Sequence, residues 1–248
     1  MERSLAGVPS TIGDRSHATD IRHGEWRSYQ AGEPLSDINE LFRRVATEPY
    51  EHRGILHSEL ALIIFVARAL GIERFVESGR ARAQSTYILG KYLPDVEIHS
   101  VDARDGPDER YGRDRVLHMA NIELYQGDGM ELVPQIVDDD ERQTAILLDG
   151  PKGHAALDLI ETCFQRPHVR VGFIHDMRRL DHGEPSPYRA AAEARFEISK
   201  FSDDPALVAG TSWMDANALN AGGPCGQRHE AEFGSYGPTI GAFFNPQQ

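Results

Sequence analysis

Residues 75–86 read Phe75-Val76-Glu77-Ser78-Gly79-Arg80-Ala81-Arg82-Ala83-Gln84-Ser85-Thr86: an apolar start, an acid, a glycine turn, then two hydroxyl residues opening a helix. Gly79 lets the backbone turn sharply, and Ala81 and Ala83 keep the loop small enough for a ligand to lie against it. Ser85 or Thr86 can cap the helix that follows. The same unit recurs downstream. Residues 97–101 form a strand ending at Asp102, 122–126 one ending at Gly127-Asp128-Gly129, 145–148 one ending at Asp149-Gly150, and 171–174 one ending at His175-Asp176. Helical stretches at 85–92, 110–120, 130–137 and 154–164 separate them. Strands alternating with helices predict an α/β, Rossmann-like three-layer sandwich around a parallel sheet. Residues 187–195 read as a helix, 196–201 as a sixth strand, and 238–244 as an antiparallel last strand, which makes the sheet seven-stranded and mostly parallel.

Outward from this core the chain divides at about residue 55. Residues 1–55 read as a polar arm followed by one helix, with Ser36 or Asp37 as its N-cap, Ile38, Leu41, Phe42 and Val45 at helical spacing, and Pro49 as its stop. A second helix over 56–70 is apolar around most of its surface and should be buried against the sheet. Residues 56–248 form the main domain, with a Gly/Pro/Asn-rich, lid-like insertion at about 203–237 that carries Trp213, Asp215, Asn217 and Tyr236. The run Asp138-Asp139-Asp140-Glu141 reads as a solvated loop.

Composition narrows the partners. The 39 Asp and Glu against 26 Lys and Arg give a formal charge of −13, which argues against nucleic acid, whose binders need a cationic face. No apolar run approaches the ~20 residues that cross a bilayer, so no membrane partner is expected. Cys163 and Cys225 are too few for a disulfide framework, and Met1-Glu2-Arg3-Ser4 opens no signal peptide, so a reduced, cytoplasmic setting is expected. The polar arm and the long insertion make a homodimer a plausible assembly.

The chemistry is expected at the carboxyl ends of the strands, where open α/β sheets bind ligands. Glu77, Asp102, Asp128, Asp149 and Asp176 stand there in register, at intervals of 25, 26, 21 and 27 residues. Asp102 is placed to accept both ribose hydroxyls of a nucleoside. A nicotinamide cofactor is disfavoured, because Gly-x-Gly-x-x-Gly keeps only its first glycine here. Asp149 and Asp176, on adjacent strand ends, can share a hard cation such as Mg²⁺.

On these residues the chain resembles the class I S-adenosylmethionine-dependent methyltransferases, nearest to their small-molecule O-methyltransferase branches. Glu-x-Gly-x-x-x-Gly-x-Ser-Thr is a common first motif in one branch, and residues 77–86 follow it except that Ala83 replaces the second glycine. The resemblance covers about residues 56–201 plus the terminal strand. It implies S-adenosylmethionine as cofactor, with Glu77 and Gly79 along its methionine part, Asp102 on the ribose and Asp128 bordering the adenine. Ala81, Ser85, Thr86 and Asp149 complete the expected cofactor set. Family members carry acids at the same two strand ends, so Asp149 and Asp176 become the expected Mg²⁺ ligands. Lys152, His154, His175 and Asp176 are the candidate catalytic residues. Lys152 can serve as base only if its pKa falls toward neutrality, and His175 can be a base or a third metal ligand. Ala83 is tolerable where the backbone keeps a negative φ, while Arg80 and Arg82 either meet the cofactor carboxylate or face solvent. Arg178-Arg179 would suit an anionic group on the acceptor. The reading is methyl transfer to a hydroxyl or amine of a small molecule. A lyase or cyclase consuming S-adenosylmethionine, and a cofactor-free partner-binding subunit, are the alternatives.

Overall fold

The structure is a computed structural model that describes residues 35–52 and 54–247. Most of the expected polar arm, residues 1–34, lies outside the described residues. Helix α1 (Leu35–Ala46) includes Ser36 and Asp37 in its first turn. Leu41 and Val45 are buried in the same core as α2 (His57–Ala69), the apolar helix anticipated from its sequence.

Five parallel strands follow: β1 (Arg74–Ser78), β2 (Glu97–Asp102), β3 (Ile122–Gln126), β4 (Thr144–Leu148) and β5 (Val169–Ile174). Between them run α3 (Gln84–Tyr92), α4 (Pro107–Val116), α5 (Gly129–Asp138) and α6 (His154–Cys163). A small ribbon, β6 (Leu180–Asp181) with β7 (Glu184–Pro185), leads into α7 (Pro187–Arg195) and β8 (Ser199–Phe201). The last strand, β9 (Gly241–Phe244), inserts antiparallel between β5 and β8, giving the order β3-β2-β1-β4-β5-β9-β8. This is the expected Rossmann-like architecture, seven strands with one reversed.

Alternation along the strands builds two cores, one on each face of the sheet. Phe75, Ile98, Leu147, Val171 and Phe173 point to the side of α1, α2 and α3. Val76, Val101, Ile146, Leu148 and Ile174 point to α5, α6 and α7. Each of these large side chains is worth about 1.5–3 kcal/mol on full burial. Arg74 is the charged exception. Its guanidinium donates to the last carbonyls of α5, Ile136 O at 2.8 Å and Val137 O at 2.9 Å, where a cation suits the helix dipole. Two acids of the run that closes α5 are paired: Asp140 lies 3.3 Å from Arg74 and 2.6 Å from Arg142, and Asp138 pairs with Arg166 at 2.7 Å, while Asp139 and Glu141 are exposed as expected.

The insertion differs from its sequence reading. It folds into α8 (Pro205–Thr211), a 3₁₀ turn (Ser212–Asp215), α9 (Ala216–Asn220) and α10 (Gln227–Phe233). It is fastened to the body. The Asn217 amide donates to Ala46 O and Glu48 O, and Asp215 accepts the Ser58 backbone N–H at 3.0 Å and its hydroxyl at 2.7 Å. Asp215 thus satisfies the open amino end of α2, a capping service from 157 residues away in sequence.

Burial pushes the Asp215 carboxyl up to about 7, outweighing the two Ser58 bonds, with Glu59 adding repulsion. The unfolded chain releases that proton near pH 4. Between roughly pH 4 and 7 the native state therefore holds a proton that the unfolded state has lost, and stability falls as pH rises. Asp215→Asn is expected to gain stability relative to wild type as pH rises through this window, with a constant difference above it. Urea unfolding of both proteins across the range checks this, and a difference flat from pH 4 to 8 would contradict it.

Candidate functional site

The β1 loop is built around a buried acid. Glu77 is fully buried and accepts hydroxyl protons from Ser85, Thr86 and Ser100, the last at 2.7 Å. Burial pushes its carboxyl above the ordinary range, with the three hydroxyls pulling the other way. Ser85 and Thr86, expected at the cofactor, thus serve Glu77. Gly79 has φ +98°, and a Cβ there would lie 2.8 Å from Gly150 N, so the β1 and β4 loops touch backbone to backbone. Ala81 and Ala83 also sit at positive φ, +43° and +56°, contrary to the negative φ expected of Ala83. The smallness of Ala83 serves packing, because Gly112 of α4 presses on this turn: a Cβ on Gly112 would lie 2.6 Å from Ala81 O and 3.2 Å from the Ala83 methyl.

Neither loop arginine is free for a ligand. Arg80 is buried, donating to Ser100 O at 2.5 Å and to Glu109 at 2.9 Å. Arg82 reaches Glu51 at 3.3 Å and lies over the Tyr111 ring. Asp102 accepts the Ala81 N–H at 2.7 Å and the Arg104 N–H at 2.8 Å, one on each oxygen. A carboxylate offers about four lone-pair sites, so acceptor capacity remains for a ribose. Asp128 caps α5 through the Met130 N–H at 2.8 Å, and the Met130 side chain beside it is exposed. These features fit S-adenosylmethionine: a tight glycine turn after β1, an acid at the β2 end, and an exposed apolar rim after β3.

At the ends of β4 and β5, charges alternate. Lys152 Nζ stands 2.5 Å from Asp149 Oδ1 and 2.6 Å from Asp176 Oδ2. His175 Nδ1 lies 2.8 Å from the same Asp149 oxygen, and its Nε2 lies 3.7 Å from Glu59. Burial works against charge on His175, yet Asp149 and Glu59 push its pKa up to about 10. Burial would also raise both aspartates, but His175 and Lys152 hold Asp149 and Asp176 below the ordinary carboxylate range. Lys152 is raised in turn, since its two carboxylates outweigh desolvation.

Asp149, His175, Asp176 and Lys152 are therefore brought together as the sequence suggested, but with altered chemistry. Lys152 is raised, not lowered toward neutrality as a base would require, and the carboxylates beside His175 favour its charged form. Asp149, His175 and Asp176 offer atoms within 4.8 Å of one another, but the Lys152 ammonium stands between the two carboxylates. In this arrangement the residues do not fit Mg²⁺. His154 is exposed on the first turn of α6, edge-on to Tyr188 at 6.3 Å, and among the described residues no hydrogen bond ties it to the aspartates. Of the arginine pair, Arg179 is spent on Asp203 at 2.9 Å, and Arg178 lies over the Phe233 ring. Glu59 was missed; its signal was a lone acid in the first turn of an otherwise apolar helix.

No family model matches the chain, and no curated protein matches it. Among solved structures it is similar to a Staphylococcus aureus protein named for a proposed caffeoyl-CoA O-methyltransferase activity, at 12% identity and a TM-score of 0.50, covering 86% of this chain and 93% of that one. An O-methyltransferase from Bacillus cereus matches at 13% identity, TM-score 0.49, over 86% and 92% of the two chains. One from Streptomyces achromogenes, of tomaymycin synthesis, matches at 14% identity, TM-score 0.48, over 86% and 91%. At this identity the Staphylococcus aureus likeness speaks for the fold: the chain has a Rossmann-like methyltransferase fold.

The Arg80–Glu109 pair yields a direct test. Arg80→Met leaves the buried Glu109 with only Arg113, and breaking such a pair costs about 3–5 kcal/mol. The loss should appear in denaturant unfolding. A variant within ~1 kcal/mol of wild type would show that the pair is not what holds this loop.

Proposed function

We propose that the protein is an S-adenosylmethionine-dependent methyltransferase acting on a small molecule. The observation that carries this reading is the carboxyl edge of the sheet. There Gly79 turns at positive φ against Gly150, Asp102 ends β2, and the Asp149–Lys152–Asp176 group stands on the same sheet edge. The fold shared with known methyltransferases supports it. When bound, S-adenosylmethionine supplies an electrophilic methyl group on a sulfonium, which an acceptor oxygen or nitrogen takes as the thioether leaves.

The chain's own residues divide the work. Glu77 fixes the turn from β1 into α3, Gly79 lets that turn close against the β4 loop, and Asp102 accepts from the ribose. The exposed side chain of Met130 offers the adenine an apolar face. At the acceptor end, Asp149 Oδ1 is taken by both His175 and Lys152, which leaves its second oxygen for an acceptor hydroxyl. His175 acts here as a fixed positive charge. Holding two reactants in line, with water displaced, is the main source of rate for such a transfer. Among the described residues no helix is long and apolar enough to cross a membrane.

Calorimetry is expected to give binding of S-adenosylmethionine and S-adenosylhomocysteine, with Kd at or below roughly 1 mM. Asp102→Ala should weaken it by about tenfold, the value of a hydrogen bond to a charged group, with its unfolding midpoint recorded alongside. No heat at millimolar ligand would refute the reading and favour the partner-binding subunit. With an acceptor in hand, a methylated product together with S-adenosylhomocysteine supports transfer, whereas methylthioadenosine identifies a lyase or cyclase.

A further inference from the structure

We propose that the Lys152 ammonium is the resident cation of the strand-end site, standing where a divalent metal ion would otherwise be required and presenting an N–H to the acceptor's oxygen. Two carboxylates on adjacent parallel strands, Asp149 after β4 and Asp176 after β5, need a positive charge between them. That place is filled from within the chain. After Asp149 the backbone passes through Gly150 and Pro151, and Gly153 at φ +68° ends the turn. Lys152, three residues after Asp149, is thereby returned over the sheet edge, with Nζ 2.5 Å from Asp149 and 2.6 Å from Asp176.

A metal ion and this ammonium cannot share the space. Mg²⁺ takes oxygens at about 2.0–2.1 Å in an octahedron, and an ion bridging Oδ1 of Asp149 and Oδ2 of Asp176 would fall on Nζ. Asp149 Oδ1 also carries the His175 bond at 2.8 Å, so it already has two cationic-side donors. The histidine nitrogen that could have completed a ligand set is turned to that carboxylate.

The substitution bears on the acceptor. An ammonium has three N–H donors, and the carboxylates take two of them. The Lys152 side chain is 47% exposed, so its remaining donor can be reached from solvent. A donor on a fixed positive charge suits a hydroxyl oxygen, and above all one gaining negative charge, while it repels a protonated amine. Lys152 thus narrows the acceptor from hydroxyl or amine to hydroxyl. That last step rests on the methyltransferase reading; the cation assignment does not.

The test uses Mn²⁺ as the probe, with the full chain, followed by electron paramagnetic resonance and by the thermal unfolding midpoint. Wild type is expected to bind no Mn²⁺ below about 1 mM, and neither Mn²⁺ nor a chelator should move its midpoint. Lys152→Ala, or Lys152→Met if the first is insoluble, removes the cation between the two carboxylates and leaves them with His175 alone. It should bind Mn²⁺ at least tenfold more tightly than wild type, and lose that binding when Asp149→Asn is added. Two results would overturn the proposal: micromolar Mn²⁺ binding by wild type that Asp149→Asn abolishes, or Lys152 variants that bind no better than wild type. S-adenosylmethionine binding, measured in chelated buffer, is scored separately. Its failure would remove the methyltransferase reading and the acceptor assignment, while the metal result would still decide the cation.

Discussion

Like charges on neighbouring strand ends set the terms for this molecule. Two unit charges 4 Å apart interact by about 4 kcal/mol near a protein surface, so Asp149 and Asp176 cannot remain ionised side by side without compensation. The chain answers with a row of alternating sign: Glu59, His175, Asp149, Lys152, Asp176. Three elements contribute to it, α2 and the turns after β4 and β5, which ties the chemistry to the fold. Glu59 comes from the first turn of α2, and its carboxylate also accepts the Leu56 N–H at 3.1 Å and the Ser202 hydroxyl at 3.2 Å. Asp215, from the insertion, holds the adjacent residue Ser58. The cover, the first buried helix and the sheet edge therefore form one electrostatic structure.

The sheet was legible because its signals are local and repeated. Each parallel strand is an apolar run closed by an acid, and the spacing between runs leaves room for one helix. The insertion was not legible, for an equally local reason. Its helices run five to seven residues, too short for a 3.6-residue period to declare itself, and Gly222, Gly223, Gly226 and Gly234 punctuate them like a loop. Asp204 capping α8 through the Ala206 and Leu207 N–H groups was a cue available in the sequence.

The site was legible in its residue types and less so in their states. Asp149, Lys152, His175 and Asp176 could be gathered from strand ends alone, but the sign of each pKa shift depends on who faces whom. Burial alone would have lowered Lys152 and His175 toward neutrality. The carboxylates on either side reverse both shifts, and no spacing rule reveals that. Arg80 teaches the same lesson, since an arginine in a glycine turn reads as solvent-facing until Glu109 is brought 29 residues back to meet it.

The backbone contact between Gly79 and Gly150 has a consequence for how two ligands would share this edge. Gly79 belongs to the turn that follows β1, and Gly150 directly follows Asp149. With a Cβ-sized gap absent between them, one loop cannot shift inward without displacing the other. If ligands moved these loops, any coupling between the two positions would be equal in both directions. The turns after β1 and β4 thus form one packed edge, not two independent loops.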